Sequence, residues 1–103
     1  MKTTKRNISL DKLEKVARLL KTISHPVRLE ILEALEEYKT LDVSTIGENI
    51  ETVVEQSMLS HHLIKMRDNG VLKSKKEGKH IFYSIAEPEI LKIFDCMQNC
   101  NLG

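Results

Sequence analysis

Polar hydrogen-bonders, histidines, cysteines and a lysine cluster are the groups in this sequence that could do chemistry. Gln56, Ser57, Ser60, His61 and Lys65 recur at spacings that a helix would gather on one broad solvent face. Residues 56–64 carry no charged side chain. That face therefore offers amide, hydroxyl and imidazole groups, which suit hydrogen bonding to base edges better than neutralising phosphates. A second group, Lys73, Lys75, Lys76, Lys79 and His80, surrounds Gly78. Its chemistry is ionic contact with a phosphate backbone, gaining affinity by counterion release.

Other combinations fail on spacing. His61 and His62 are adjacent, so on a helix they diverge by about 100° and do not share a metal. Ser60 and His61 diverge for the same reason and form no catalytic dyad. There is no glycine-rich phosphate loop, nucleophile motif or pocket-forming carboxylate pair. An enzyme is therefore not expected. Cys96 and Cys100, the only two cysteines, lie four apart on one helical face. They read either as a thiol sensor or soft-metal site, or as two partly buried small hydrophobes.

Periodicity supplies the elements that would hold these groups. Leu13, Val16, Ala17, Leu20 and Ile23 predict a helix from about Leu10 to Ser24. Ser9 or Asp11 can cap its start. His25-Pro26 breaks it, and Pro26 suits the first turn of a second helix running to about Lys39. A short third helix starts near Ser44, and Glu51–Glu55 reads as a turn. Leu59, Leu63 and Met66 predict a fourth helix from Gln56 to Asn69, with Asn69-Gly70 as its left-handed stop. Two strands, 71–76 and 80–85, flank a three-residue turn, Glu77-Gly78-Lys79. A last helix spans about Glu87 to Cys100. The order is α-α-α-α-β-β-α: mainly helical with a β-hairpin, a winged helix-turn-helix. In that arrangement the fourth helix enters a major groove and the hairpin lies along the neighbouring backbone.

Composition agrees. The 103 residues fit one domain, 1–103, with a single core. With 41% apolar and 30% charged residues the chain is globular. The charge is segregated: +6 over residues 1–29, −7 over 30–55, +4 over 65–85 and −2 over 86–103. No signal core or membrane-spanning run is legible, so the expected compartment is the cytoplasm and no membrane contact is expected. Aromatics at 4% argue against a stacking platform for single strands.

Three stretches carry a family resemblance. Leu20-Lys-Thr-Ile-Ser-His-Pro-Val-Arg-Leu-Glu-Ile-Leu32 resembles the helix break and "P-x-R-L-x-I-L" signature of the ArsR/SmtB family. Gln56-Ser-Met-Leu-Ser-His-His-Leu63, with Met66-Arg-Asp-Asn-Gly-Val-Leu72, resembles its recognition helix and exit. Glu77-Gly-Lys-His-Ile-Phe-Tyr83 resembles its wing. The resemblance implies a homodimeric repressor on an inverted-repeat site in double-stranded DNA, released by an effector. It also implies that the first and last helices pair the protomers, here through Leu10, Leu13, Leu20, Ile90, Phe94 and Met97. Two departures stand out. The turn before the recognition helix is longer than usual, and Glu55 replaces the usual capping serine. The cysteine pair of the family's arsenic and cadmium sensors is missing from Leu41–Gly47. The zinc-sensor positions correspond to Glu87, Glu89, Cys100 and Gly103, a poor set with one ligand missing. No metal or cofactor is assigned. The alternative is a winged-helix protein-interaction module without DNA binding, for which four lysines beside a turn would be superfluous.

Overall fold

The computed structural model describes residues 6–100. Helix α1 runs Leu10–Ile23, with the Ser9 hydroxyl accepting a bond from the Lys12 N–H at 3.2 Å. Helix α2, Pro26–Tyr38, follows one tight break. Proline occupies its first turn, and His25 Nδ1 accepts from the Val27 N–H at 3.1 Å. A two-residue strand β1, Leu41–Asp42, precedes the short helix α3, Val43–Glu48. Helix α4 spans Gln56–Asp68, and strands β2, Leu72–Glu77, and β3, His80–Ile85, form the wing. A 3-10 turn, Pro88–Leu91, leads into α5, Lys92–Asn99.

The winged helix-turn-helix is as expected, with local differences. The sheet has three antiparallel strands in the order β1-β3-β2, adding β1 to the two strands that the sequence predicts. Leu41 pairs with Tyr83 and Asp42 with Phe82. The wing turn has two residues rather than three, because Glu77 pairs directly with His80. Gly78 alone takes a positive φ there, 61°, the arrangement of a glycine-first type II′ hairpin. The last helix does not begin at Glu87. Pro88 lacks a donor N–H, and the chain makes the 3-10 turn before α5 starts.

The core lies where α2, α3, α4 and β3 meet. Ile31, Leu32, Ile46, Leu63, Met66 and Val71 are fully buried, and Tyr83 closes the sheet side. Helix α3 lies close on α4: a Cβ placed on Gly47 would sit 3.3 Å from Leu59 Cδ2. Ile90, expected between protomers, is buried in this core instead. The 3-10 turn carries it inward. Helix α1 contributes little to the core. Only Thr22 and Ile23 in its last turn are buried, and the molecule is drawn out to 53 × 31 × 21 Å.

Candidate nucleic-acid interface

Helix α4 turns its apolar side inward through Leu59, Leu63 and Met66. Gln56, Ser57, His61 and Lys65 are exposed, and Ser60 is half-buried. The structure thus brings the five expected residues to the outer side of one helix. Glu55 stands at the cap position and makes no side-chain cap bond. The first N–H groups of α4 are therefore free of a side-chain cap, at the end where backbone donors favour anions. Lys65 and Arg67 in the last turn suit the opposite pole of the helix. The Asn69-Gly70 stop forms as expected: Gly70 has φ 81°, and the Val71 N–H donates to the Met66 carbonyl at 2.9 Å.

A carboxylate holds the long turn before α4. Glu30 Oε1, on α2, accepts from the N–H groups of Glu51 at 2.8 Å and Thr52 at 3.2 Å. The Thr52 side chain and these N–H groups hold the Glu30 carboxyl below its usual range.

The wing lysines are all exposed but do not form one strip. The register puts Lys73 and Lys75 opposite Ser84 and Phe82, and Lys76 opposite Ile81. Alternation therefore sends Lys76 to the other face, with Lys79 at the turn. Lys75 also pairs with Glu77 at 3.5 Å. His80 is partly engaged, with Nδ1 lying 3.3 Å from Asp42 Oδ2. Asp42 also caps α3, its Oδ1 accepting from the Thr45 N–H at 2.9 Å. Hydrogen bonds from Thr45, and His80 to a lesser degree, hold the Asp42 carboxyl below its usual range.

Of the adjacent pair His61 and His62, for which DNA contact and helix packing are the two sequence readings, His62 packs inward. It is buried, and its ring lies 4.6 Å from that of His25. Arg28 Nε donates to His62 Nδ1 at 3.0 Å, and Arg28 Nη1 donates to the Thr22 carbonyl at 2.8 Å. One guanidinium thereby ties the ends of α1 and α2 to the recognition helix. The spacing of Leu59, His62, Leu63 and Met66 already placed position 62 on the inner side.

Burial pushes the His62 pKa down, and the nearby Arg28, His25 and His61 push the same way. The sign of its effect on stability follows. A histidine in the unfolded chain takes up its proton near pH 6.5, whereas folded His62 resists it. Stability should be unaffected by this group above about pH 7 and fall as pH drops through 6.5 and below. Thermal unfolding from pH 8 to pH 5 checks this. His62→Gln, whose amide oxygen can accept the Arg28 bond, should give a flatter profile.

The sensing and seam positions also have defined places. Cys96 and Cys100 are both free and exposed on or at the end of α5, so neither is a buried small hydrophobe. Leu10, Leu13, Leu20 and Met97 are exposed, and Phe94 is half-buried against the core. Glu87 pairs with Lys15 at 3.4 Å and Glu89 with Lys92 at 2.7 Å. Gly103 lies outside the described residues. Among the described residues, no helix is long and apolar enough to cross a membrane.

Comparison with known proteins points the same way as this geometry. Residues 25–74 match the family described as "Bacterial regulatory protein, arsR family". The transcriptional repressor PagR of Bacillus anthracis is 44% identical over 78 residues, 76% of each chain. Its crystal structure superposes with a TM-score of 0.75, covering 86% of this chain and 99% of that one. The biofilm growth-associated repressor of Xylella fastidiosa is 32% identical over 80% of this chain and 69% of its own. HlyU of Vibrio cholerae, 28% identical, has a TM-score of 0.75 over 87% of this chain and 95% of that one. Through these likenesses and the winged helix that carries the matched segment, the chain belongs to the arsR family of bacterial regulatory proteins, which are transcriptional regulators and not enzymes.

Proposed function

We propose that this protein is a homodimeric transcriptional repressor acting in the cytoplasm on an inverted-repeat site in double-stranded DNA. The whole chain works as one unit. The carrying observation is the exposed, charge-free first half of α4 beside a lysine-bearing wing. Gln56, Ser57, Ser60 and His61 read base edges in the major groove. Lys65, Lys73, Lys75, Lys76, Lys79 and His80 contact the backbone. The dimer forms through Leu10, Leu13 and Leu20 of α1 with Phe94 and Met97 of the last helix.

The test is selection of DNA sites from a random duplex pool, followed by titration across salt concentrations. Replacing Gln56 or Ser57 with alanine should alter the selected sequence, at roughly 1–3 kcal/mol per lost base contact. A Lys76→Ala/Lys79→Ala variant should instead weaken binding to every duplex and flatten the salt slope by about 1 per lost phosphate contact. An unchanged slope would remove the wing from the interface.

An effector could act through Cys96 and Cys100. Their exposure on the element assigned to the dimer favours this. Two thiols joining as a disulfide give up two protons and two electrons to an oxidant such as diamide. The bond would either fray the end of α5 or cross to the second protomer, moving the recognition helices relative to each other. Diamide should lower the operator affinity of the parent and leave a Cys96→Ser/Cys100→Ser variant unaffected. Equal responses would make the cysteines bystanders.

A further inference from the structure

Two exposed apolar side chains stand at the start of α4, the helix to which base reading is assigned. Met58 lies in the first turn of α4, between Ser57 and Ser60, and half of its surface is in solvent. It is not part of the core or of the shell packed against it. Val53, in the turn just before α4, is 98% exposed. That turn is not slack, since Glu30 grips the backbone at Glu51 and Thr52, immediately before Val53. Both side chains therefore project from anchored backbone around the start of the recognition helix, Met58 within the charge-free stretch 56–64 and Val53 in the turn between Glu51 and Glu55.

The major groove offers one apolar group on its base edges, the 5-methyl of thymine. A methionine side chain is long, unbranched and adaptable enough to follow such a contact. Taken with the reading of α4 as the base-reading helix, we infer that Met58 and Val53 read thymine, packing against 5-methyl groups at the operator. This adds an apolar readout to the hydrogen-bonding one and assigns to two residues a preference that Gln56 and Ser57 do not supply. The contact buries methyl and thioether surface that is wet in the free protein, so it favours the complex without any cost in hydrogen bonds.

Deoxyuridine provides the test, because it keeps every hydrogen-bonding group of thymine and lacks only the methyl. Each thymine of the selected operator is replaced in turn by deoxyuridine, and affinity is measured for the parent and for a Met58→Gln/Val53→Asn double variant. Both substitutions roughly preserve side-chain size at exposed positions, and an unchanged melting temperature verifies the fold. The parent should lose about fourfold in affinity for each methyl it reads. The double variant should bind the thymine and deoxyuridine operators equally. The inference is overturned if the parent is indifferent to every replacement, or if the double variant keeps the parent's full response. A parent that selects no sequence at all would instead overturn the reading of α4 as the base-reading helix.

Discussion

Replacing Leu13 by glutamate is expected to leave a folded monomer whose operator affinity has dropped by at least a hundredfold. Leu10, Leu13, Val16 and Leu20 recur at helical spacing along α1, and each is between 40% and 68% exposed. A helix of 14 residues with only its last turn buried has little protomer packing to hold it, and isolated helices of that length are marginal in water. On α5 no residue is fully buried, and Met97 is nearly half exposed. A contiguous apolar face of this kind calls for a partner. Two carboxylates at a two-fold seam would lose solvation without gaining a counter-charge. The DNA effect follows from losing the second half-site, since tethering two binding units raises affinity by about 10²–10⁴. Sedimentation and fluorescence anisotropy on the same samples measure both losses. A parent that sediments as a monomer at tens of micromolar would sink the dimer.

The second large effect is on stability. Leu63 is completely buried on the inner side of α4, so Leu63→Ala should cost about 2–5 kcal/mol from lost burial and the cavity left behind. That is a large share of the roughly 5–15 kcal/mol that keeps a small domain folded. Denaturant unfolding should show a much lower midpoint. Its neighbour Ile64 is 41% exposed, and Ile64→Ala should shift stability by about 0.5 kcal/mol or less. Similar losses at both positions would mean that α4 is rotated about its axis from the orientation described.

The contrast between those neighbours shows what the sequence made legible. Elements whose limits depend on local chemistry were readable: Pro26 at the start of α2, Asn69-Gly70 after α4 and Gly78 at the wing. The exposed side of α4 was readable too, because it is the complement of a clear apolar stripe. What escaped depends on contacts between distant positions. Strand β1 is two residues long and exists only through its pairing with Phe82 and Tyr83, so it has no alternation to detect. The Arg28–His62 bond joins residues 34 apart. Ile90 fits a helical seam by spacing, yet the 3-10 turn at Pro88 directs it into the core. The apolar face of α1 read as periodic in the sequence, but periodicity does not say whether a face meets its own protomer or another.

Asp42 has a mechanical consequence. Its backbone belongs to β1, one carboxylate oxygen caps α3 and the other reaches His80 near the tip of the wing. The wing is tied to the helix-turn-helix at the middle of β3, through the pairing with β1, and again at His80, and both ties restrain the two parts from swinging independently. On the proposed reading, the spacing between the groove met by α4 and the flank met by the wing would then be held within narrow limits. Operators whose flanking steps alter the local rise or groove width would then have to deform to meet it. Sequence-dependent DNA stiffness at positions that no side chain touches would thereby enter the choice of site.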